Sequence, residues 1–393
     1  MPQSHKTQVC IIGAGPAGLL LSQLLAQAGI DTIVLDRKDR AYIEGRIRAG
    51  VLEQGTVKAL EEAGVADRLH AEGLPHDGFE LAFDGVRHRI DLAALTNTSV
   101  MVYGQTEVTK DLFDARHTAG QPFFFNVENV VPTDLKSDAP CVHFKQDGAD
   151  HVIHCDYIAG CDGFHGVSRK AIPAEVLKTF ERVYPFGWLG VLVDKPPVSH
   201  ELIYANHDDG FALASMRSET RSRYYIQCDA SDDVAAWSDD RFWEAFATRL
   251  GPETASQLQT GASFEKSIAP LRSFVAEPMR YGAMFLAGDA AHIVPPTGAK
   301  GLNLAVADIR LLSRGLIAHY AGNDSHIDQY SQTVLNRVWK VERFSWQLST
   351  LMHQFPENSP FERRMQRAEF DYIASSEAAS RSIAENYVGL PLE

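Results

Sequence analysis

The sequence predicts an α/β protein, α+β overall, in which a Rossmann-like domain with a parallel sheet precedes an antiparallel-sheet domain and a helical C-terminal region. Three observations predict this fold: a glycine-rich turn joins an apolar strand to a helix near the N-terminus, short β-rich runs fill the middle of the chain, and helical patterns follow Asn303. The expected segments are a nucleotide-binding domain at 1–179, a substrate domain at 180–272, a return segment at 273–303 and a helical or interface region at 304–393.

The N-terminal unit alternates strand, turn, helix and strand. The β-branched run from Gln8 to Ile12 is typical of a buried strand, and LLLSQLLAQAG suits a helix that Gly29 ends. The run DTIVLDR then predicts a second strand that ends at Asp36. Because a helix connects the two strands, the sheet is expected to begin as a parallel one.

The turn GAGPAG places Gly13, Gly15 and Gly18 in a GxGxxG pattern between a strand and a helix, the context in which that pattern is informative. The first glycine permits the tight turn, the second lets a pyrophosphate approach the backbone, and the third lets the helix pack on the strand. The helix N-terminus offers N–H groups to phosphate, and Asp36 can accept the hydroxyls of an adenosine ribose. The pattern predicts a dinucleotide site and leaves NAD and FAD open.

The later chain decides between these two cofactors. A NAD dehydrogenase would continue with regular βαβ units, whereas here a loop with Arg46 and Arg48 leads toward β-rich runs. The stretch FLAGDAAHIVPPTGAKGLN opens as an apolar strand that ends at Gly288 and Asp289, so it can return to the first unit and offer a carboxylate to a polyol. FAD has a ribityl chain at that position and NAD has none, so FAD is the predicted cofactor.

The middle of the chain changes character. VHFKQDGADHVIHCDYIAG alternates around Asp147 and Gly148 like a hairpin that feeds a further strand. YPFGWLGVLV, ELIYAN, FALASMR and RYYIQ are β-rich runs with no long helical pattern between them, which predicts an antiparallel sheet over roughly 180 to 270. In the helical region, Trp339, Phe344 and Trp346 are expected to be mostly core, with some contribution to a subunit interface.

Composition restricts the function classes. The 393 residues allow two or three domains, and 45% hydrophobic with 22% charged residues is ordinary for a soluble globular protein. A net charge of -14 argues against broad nucleic-acid affinity. The five cysteines lack a CxxC pair, so neither a disulfide framework nor a metal site is expected, and reduced thiols in the cytoplasm are the simplest interpretation.

No targeting or membrane segment is expected either. Lys6 precedes an apolar stretch that ends in Ala26, Gln27 and Ala28, much as a secretory signal does. Glycines interrupt that stretch, and the second apolar run before Asp36 would have no purpose in a cleaved peptide. No other run approaches the ~20 apolar residues of a membrane span.

Taken together, the motifs resemble those of one family, the class A flavoprotein aromatic hydroxylases, over nearly the whole chain. The motifs that carry the resemblance are GAGPAG, CDGFHGVSR and FLAGDAAHIVPPTGAKGLN, together with GRIRAGVLEQG, YGQTEVT, ERVYPFGWLG, ELIYANH, RSRYYIQ, KSIAPLRSF and AENYVGLP. Such a set is far more specific than a glycine fingerprint alone. It implies a FAD domain, a substrate sheet and a homodimer. Charge, hydropathy and cysteine spacing predict a soluble protein with no nucleic-acid or membrane partner and no metal.

The resemblance extends the set of residues expected to hold FAD. Beside Gly13, Gly15, Gly18 and Asp36, it implies Arg46, Arg48, Val51, Gln105, Asp289, Gly298, Leu302 and Asn303. Arg48 can neutralise a pyrophosphate, and N–H groups after Gly298 can stabilise negative charge on the reduced flavin. Asp36 departs from the Glu expected in relatives, although the shorter carboxylate can still reach a ribose.

The substrate residues also follow from the resemblance. Arg217 would bind a carboxylate bidentately, with Ser215 and Tyr225 as further donors. Tyr204 would bond the para hydroxyl of the substrate and pass its proton to Tyr387. His76 would connect this relay to solvent, and the carbonyl of Pro296 would face the substrate hydroxyl. Taken singly, each residue also has an interpretation without a function. Tyr204 and Tyr225 could be packing residues of strands, Arg217 a surface residue that forms a salt bridge, and His76 part of a solvated loop.

The implied reaction is hydroxylation of 4-hydroxybenzoate, ortho to its hydroxyl, to 3,4-dihydroxybenzoate, with NAD(P)H and O2 as co-substrates and a flavin C4a-hydroperoxide as oxygen donor. A phenol with a pKa near ~10 is mostly protonated at neutral pH, so removing its proton activates the ring. The reductant would bind outside a Rossmann site, at Arg37, Lys38, Tyr42, Arg46, His165 and Arg272. Arg37 and Lys38 suit the 2′-phosphate of NADPH, whereas the alternative interpretation, a solvated turn, would leave NADH open.

Two rival functions and one residue stay open. The chain could hydroxylate another hydroxy- or amino-benzoate, or it could be a non-redox binding protein that keeps the flavin fold. The second rival predicts degraded motifs, and here they are intact. Lys300 has two interpretations, a positive charge that favours the substrate phenolate and an ordinary surface lysine.

Overall fold

The computed structural model describes residues 2–46 and 50–392. Its strands are β1 (Gln3–Lys6), β2 (Val9–Ile12), β3 (Thr32–Leu35), β4 (Val51–Leu52), β5 (Leu74–His76), β6 (Gly78–Phe83), β7 (Val86–Asp91), β8 (Val100–Val102), β9 (Phe123–Phe124), β10 (Glu128–Thr133), β11 (Cys141–Gln146), β12 (Ala149–His154), β13 (Tyr157–Gly160), β14 (Lys178–Val193), β15 (Ile203–His207), β16 (Gly210–Ser218), β17 (Arg221–Asp229), β18 (Glu265–Glu277), β19 (Arg280–Tyr281), β20 (Met284–Leu286) and β21 (His292–Ile293).

The α-helices alternate with these strands in the first half and dominate the last quarter. They are α1 (Pro16–Gln27), α2 (Arg40–Glu44), α3 (Gln54–Glu62), α4 (Asp67–Glu72), α5 (Leu92–Thr96), α6 (Gln105–Thr118), α7 (Asp239–Leu250), α8 (Pro252–Ala255), α9 (Gly301–Tyr320), α10 (Ser325–Met352), α11 (Pro360–Ser375) and α12 (Glu377–Val388). None of the helices in the described ranges combines the length and the hydropathy that crossing a membrane requires.

The first sheet is parallel, as predicted. Its order is β19-β20-β13-β2-β3-β9, and the strands from β20 to β9 run in one direction. Its inner strands are buried on both faces, which explains their continuous apolar runs. The predicted return of the FLAGD strand is confirmed, because β20 lies beside β13 in this sheet.

Close backbone packing explains the glycines that join β2 to α1. Gly13 has a φ of 111°, and a Cβ there would lie 2.2 Å from the carbonyl oxygen of Cys161. A Cβ on Gly18 would lie 2.0 Å from the oxygen of Gly13, so the helix rests directly on the turn. Gly29, with a φ of 73°, follows the helix at the position predicted to end it.

The predicted hairpin is confirmed. β11 and β12 pair in antiparallel fashion, and Asp147 and Gly148 between them both have positive φ, as a two-residue hairpin turn requires. β12 also pairs with β1, and the chain continues into β13 of the parallel sheet.

The second sheet has the order β21-β18-β14-β17-β16-β15-β6-β7 and departs from the predicted segments in two ways. Two strands from residues 78–91, inside the segment predicted as nucleotide-binding, complete it. One of them, β6, runs parallel to β15, so the sheet is mixed rather than wholly antiparallel. The hairpin between β6 and β7 turns at Asp84 and Gly85, both with positive φ, and this dipeptide was the overlooked signal.

The predicted antiparallel segment also contains a helix that the sequence interpretation missed. The β-rich runs do continue without an α-helix to Asp229, but α7 then follows and packs on one face of the sheet. Phe242, Phe246 and Leu250 of α7 are buried against that face, and Ser238 caps its first turn by accepting from the N–H of Arg241.

The other face of this sheet carries the C-terminal helices. Phe79, Tyr204 and Phe211 of the sheet pack in one apolar cluster with Phe344 and Tyr387 from α10 and α12. The predicted core role is therefore confirmed for Phe344. Trp339 and Trp346 are instead 41% and 46% exposed, because they lie on the outer face of α10.

Candidate active site

The three family motifs meet at one edge of the parallel sheet. The last residues of β2, β3, β13 and β20 are in register, since Ile12 pairs with Leu35 and Gly160, and Gly160 pairs with Leu286. The glycine turn, Asp36, the Asp-Gly motif and the Gly-Asp motif therefore leave the sheet side by side. This edge is where parallel α/β sheets bind nucleotides.

Helix N-termini add donors at this edge. α1 and α9 have no side-chain cap, so backbone N–H groups of their first turns stay available to a ligand. Gly288 of the Gly-Asp motif lies close to both helices, because a Cβ there would be 3.2 Å from the Cβ of Ala305 on α9 and 3.8 Å from that of Ala17 on α1. A Cβ at Gly15 would meet no protein atom within 4 Å, which leaves room for a phosphate against the turn.

Asp36 lies at the predicted place, directly after β3. Its carboxylate accepts from the N–H of Ala14 at 2.7 Å and from the N–H of Lys38 at 2.8 Å. Burial raises the pKa of Asp36, although these two N–H groups oppose the change. A carboxylate has about four lone-pair positions, so capacity remains for ribose hydroxyls.

The other predicted FAD residues fall on separate elements. Val51 lies in β4, Gln105 begins α6, and Asp289 is exposed in a 3-10 turn that follows β20. Gly298 closes a second 3-10 turn and Leu302 is half-buried in α9. Arg48 lies outside the described residues.

Asn303 joins several of these parts. Its side-chain oxygen accepts from the N–H of Glu53 and from the hydroxyl of Thr56, and its amide donates to the carbonyls of Val51 and Ala299. Each side-chain atom of the amide is thus engaged, and the start of α9 is held against β4 and α3. Asn303 therefore serves as a brace for the loop that Pro296 to Lys300 form.

The predicted NAD(P)H residues form two groups. Lys38 and Arg46 both lie over the ring of Tyr42, with the ammonium 5.0 Å and the guanidinium carbon 5.9 Å from its centroid. Arg272 lies 4.4 Å from the ring centroid of Phe164, whose neighbour is His165, and also contacts Glu181.

Arg37, the remaining member of the predicted NAD(P)H set, is exposed beside Asp36.

Two buried tyrosines lie between the substrate sheet and α12. The hydroxyls of Tyr204 and Tyr387 are 2.9 Å apart, and the residues are 183 positions apart in the chain. Burial raises the pKa of both hydroxyls. Phe79 contacts both rings, with an edge on Tyr204 and a stack on Tyr387 at 4.1 Å.

Strand register places Tyr225 on the same face as Tyr204. Tyr204 pairs with Leu213, and Leu213 pairs with Tyr225. Gly190 lies across from Tyr225, and a Cβ there would come within 2.7 Å of the tyrosine ring. The glycine therefore leaves room for this ring beside the site.

Arg217 lies at the irregularity near the end of β16. One Nη of its half-buried guanidinium donates to the carbonyl of Met216 at 3.1 Å, while its Nε has no hydrogen-bond partner among the described residues. Burial lowers the pKa of Arg217, and the nearby Tyr225 hydroxyl opposes that change. Ser215 donates its hydroxyl to the carbonyl of Arg223 at 2.6 Å, so its predicted role as a donor to a ligand would require rotation of that hydroxyl.

Two predicted residues have surroundings that the sequence did not indicate. His76 lies in β5 and is 4% exposed, so the solvated-loop interpretation is wrong. Neither ring nitrogen has a hydrogen-bond partner in the described part of the chain, and burial lowers the pKa of the imidazole. Pro296 is exposed, and its carbonyl accepts from the N–H of Ala299 at 2.9 Å.

Lys300 is buried, so its interpretation as a surface lysine is wrong. Its Nζ donates to Oε1 of Glu53 at 2.7 Å and to the carbonyl of Tyr387 at 2.7 Å. Burial lowers the pKa of Lys300, and Glu53 opposes the change. Arg337 of α10 contacts the second oxygen of Glu53 at 3.4 Å. The sequence interpretation missed Glu53 and Arg337, although Glu53 stands in the motif GRIRAGVLEQG.

A second buried polar group lies behind the Gly-Asp motif. Asp308 accepts from the N–H of Gly288 at 2.8 Å and is 2.6 Å from Nε2 of His292. Burial alone would lower the pKa of His292, but the charge and hydrogen bond of Asp308, together with the charges of Asp289 and Glu342, raise it overall. Burial also raises the pKa of nearby Glu342 to about 7, against the opposing effects of Ser273 and His292.

Comparison with known proteins identifies the family of the chain. The FAD binding domain family matches residues 6–345. The chain is 57% identical over 393 residues, 100% of its length and 97% of the relative's, to p-hydroxybenzoate hydroxylase of Acinetobacter baylyi. It is 26% identical over 332 residues, 82% of its length and 56% of the relative's, to 3-(3-hydroxy-phenyl)propionate/3-hydroxycinnamic acid hydroxylase of a Mycobacterium species.

A solved structure shares the fold. It is p-nitrophenol 4-monooxygenase of Pseudomonas putida, with a TM-score of 0.82, 21% identity and coverage of 99% of this chain and 100% of the other. The residues present also fit FAD: the open space at Gly15, the uncapped starts of α1 and α9, and the carboxylates of Asp36 and Asp289 surround one sheet edge. The chain belongs to the FAD-binding flavoprotein aromatic hydroxylases, in the family of p-hydroxybenzoate hydroxylase.

Proposed function

We propose that this enzyme hydroxylates 4-hydroxybenzoate at the carbon ortho to its hydroxyl, producing 3,4-dihydroxybenzoate with consumption of O2 and NAD(P)H. The single observation that carries the proposal is the buried pair of hydroxyls at Tyr204 and Tyr387, 2.9 Å apart on the face of the sheet that also presents Tyr225. Such a pair can accept and pass on the proton of a para hydroxyl, which is the group that distinguishes this substrate from its isomers.

The carboxylate of the substrate would bind at Arg217. The Nε of its guanidinium lacks a partner among the described residues and would gain one from a carboxylate, which forms strong bidentate pairs with arginine. Tyr225 would add a hydroxyl donor on the same face. Holding the carboxylate at one end and the hydroxyl at the other orients the ring, and orientation alone can lower a barrier by several kcal/mol.

The tyrosine pair would move the proton without becoming charged. Burial raises the pKa of both hydroxyls, so both stay neutral at physiological pH. A neutral hydroxyl can accept a proton from the substrate while it donates its own to the next oxygen. Tyr204 therefore acts on the substrate, and Tyr387 receives the proton on the side away from it. Burial lowers the pKa of His76, so its imidazole is neutral and could accept a proton farther along this path.

FAD would be held by the glycine turn, Asp36, Asp289 and the first turn of α9. When bound, it supplies hydride acceptance and the activation of oxygen. The N–H groups at the start of α9 would favour negative charge next to them, because the helix dipole is positive there. The carbonyl of Pro296 retains a lone pair beyond its bond from Ala299 and could accept from the substrate hydroxyl.

NADPH is the proposed reductant. The cluster of Lys38, Tyr42 and Arg46 next to exposed Arg37 supports it, because a 2′-phosphate is favoured by several nearby cations. The check is the rate of flavin reduction by NADPH and by NADH at saturating substrate. A higher rate with NADH would contradict this preference and leave the hydroxylation proposal intact.

The substrate test is product identification with oxygen uptake. We expect 4-hydroxybenzoate to give one equivalent of 3,4-dihydroxybenzoate per O2, and the 2-hydroxy and 3-hydroxy isomers to give peroxide or no turnover. Equal product yield from the 3-hydroxy isomer would contradict the assignment of the tyrosine pair to a para hydroxyl. Turnover of an amino-benzoate alone would favour a related hydroxylase.

The remaining expectations concern assembly and location. We propose a homodimer in the cytoplasm, where reduced nicotinamide is supplied and where the five free cysteines would stay reduced. Sedimentation of the purified protein measures the first, since a monomer at micromolar concentration would contradict it. Fractionation of the source cells measures the second.

A further inference from the structure

We propose that Arg337 is a positioning residue for hydroxylation: with Glu53 and Lys300 it forms a C-terminal clamp that holds residues 387–391 and thereby sets the hydroxyl of Tyr387 against that of Tyr204. The term C-terminal clamp is used below for these three side chains. The proposal rests on the proposed function, because it concerns the same proton path. Arg337 touches neither tyrosine hydroxyl and would act only through the backbone.

The clamp begins where α12 ends. Tyr387 is the second-last residue of α12, so its carbonyl belongs to the last turn, whose carbonyls have no partner within the helix. Lys300 supplies a hydrogen-bond donor for this carbonyl, because its Nζ donates to the carbonyl oxygen of Tyr387 at 2.7 Å. Without such a donor, the last turn of a helix is the part that opens most readily.

Arg337 holds the residues that follow. From the middle of α10 it donates to the carbonyls of Leu390 at 2.7 Å and Pro391 at 2.9 Å, and it contacts Glu53 at 3.4 Å. Its side chain is only 11% exposed. A planar guanidinium can reach three acceptors in a fixed arrangement, which a lysine ammonium cannot reproduce.

Gly389 gives an independent sign that the tail passes close to the clamp. Its φ is 101°, and a Cβ on it would lie 2.0 Å from Oε2 of Glu53. The backbone therefore runs against the carboxylate that Lys300 and Arg337 share. Only a glycine satisfies both the positive φ and this contact.

The charges of the clamp are buried together. The side chain of Glu53 is 7% exposed and that of Lys300 is 2% exposed. Replacing Arg337 would leave the carboxylate of Glu53 paired with Lys300, which alone balances its charge. The effect of the replacement would therefore come from freeing the tail.

The consequence for proton transfer follows from distance. The ring of Tyr387 stacks on Phe79 on one side, and its backbone is held by the clamp on the other. Hydrogen bonds weaken steeply beyond about 3.2 Å, so a backbone shift of one ångström would break the 2.9 Å contact between the two hydroxyls. The substrate proton would then lack its second acceptor.

The test compares three changes with one control. Arg337→Met removes the donor, Arg337→Lys keeps the charge, and a chain that ends at Gly389 removes the two carbonyls while it keeps Arg337. Lys340→Met changes an exposed cation one turn away on the same helix and serves as the matched control. Each protein is purified with FAD and assayed for flavin reduction, product and peroxide.

Two further measurements separate positioning from general damage. Hydrogen exchange of the amides of 384–389 without substrate reports on the clamp, and absorbance against pH reports the phenolate fraction of bound 4-hydroxybenzoate. For Arg337→Met and the shortened chain we expect faster exchange, a phenolate midpoint at higher pH and about tenfold slower hydroxylation. This is less than the roughly hundredfold effect of removing a positioned proton acceptor, because Tyr387 would be displaced and not removed. Flavin reduction should change less than about twofold, and Arg337→Lys should be intermediate.

Three results would overturn the proposal. The first is hydrogen exchange at 384–389 that is as slow in Arg337→Met as in the wild type, and the second is faster exchange with an unchanged phenolate titration. The third is an equal loss of substrate binding, flavin reduction and hydroxylation in Arg337→Met. If the wild-type enzyme makes no product from 4-hydroxybenzoate, the proposed function fails. In that case, hydrogen exchange at 384–389 alone tests whether the clamp holds the end of α12.

Discussion

The two sides of the active site are built in different ways. The cofactor edge is made of backbone groups from short motifs, with the glycine turn, Asp36 and Gly288 placed by strand register. The substrate side is made of side chains from distant positions, since Tyr204 and Tyr387 are 183 residues apart and Lys300 and Glu53 are 247 apart. A site built from backbone groups is sensitive to any substitution that adds atoms near the backbone. A site built from side chains is sensitive mainly to substitutions that remove a functional group.

The largest expected effect lies on the cofactor edge, at Gly13→Ala. The new Cβ would lie 2.2 Å from the carbonyl oxygen of Cys161 at a φ of 111°, so we expect a loss of about 3 kcal/mol in unfolding free energy and little bound FAD. Denaturant unfolding and flavin content measure both. Gly15→Ala is the control, because its Cβ meets no protein atom within 4 Å: it should fold like the wild type and bind FAD more weakly. Equal free energies of unfolding for the wild type, Gly13→Ala and Gly15→Ala would contradict this prediction.

The next effect lies on the substrate side, at Tyr204→Phe. The shape is kept and one hydroxyl is lost, so we expect wild-type folding and flavin reduction, with hydroxylation slower by about a hundredfold and NAD(P)H use diverted to peroxide. The ratio of product to peroxide measures it. Tyr224→Phe, on the opposite face of the same sheet, is the matched control and should stay coupled although it loses the bond from the N–H of Val198. A coupled Tyr204→Phe enzyme would contradict the proton path.

A third effect tests the place where the two sides meet, at Glu342→Gln. Burial raises the pKa of Glu342 from 4.5 to about 7, so the folded state binds this proton more tightly than the unfolded chain. Its contribution to stability is present below pH 4.5 and is lost as the pH rises through 7. We expect Glu342→Gln to be more stable than the wild type by about 3 kcal/mol at pH 8 and equal to it near pH 4. Unfolding at several pH values measures this, and a constant difference would contradict it.

The smallest effect is expected for Asp36→Glu. The carboxylate stays and only its reach changes, so FAD affinity should change by less than about threefold, below 1 kcal/mol. Asp36→Ala, which removes the acceptor for the N–H groups of Ala14 and Lys38, should weaken FAD by about tenfold or more. Titration of the apoprotein with FAD compares the two. A larger loss for Glu than for Ala would show that the shape of this side chain matters more than its charge.

Much of the cofactor side could be predicted because its signals are local. The glycine turn, the strand before Asp36 and the hairpin at Asp147 each lie within a few residues of the element they specify. The sequence gives no such signal for Lys300, whose burial depends on Glu53 and the last turn of α12. The burial of His76 in β5 is likewise a result of tertiary packing.

The second sheet shows the same limit. α7 was missed although Phe242, Phe246 and Leu250 have helical spacing, because the surrounding β-rich runs dominated the interpretation of that segment. The strands β6 and β7 were missed as part of this sheet because β6 pairs with β15, more than 100 residues later. Pairing over such a distance leaves no trace in local composition.

That pairing also restricts how such enzymes can be recombined. The chain enters the second sheet at β6, returns to the parallel sheet at β9 and β13, and crosses again at β14, β19 and β21. Exchanging residues 180–272 between two relatives as one cassette would separate β15 from its own β6, and with it Tyr204 from the Phe79 edge. A chimera that keeps its substrate site intact therefore has to inherit 78–91 from the same parent as 180–272.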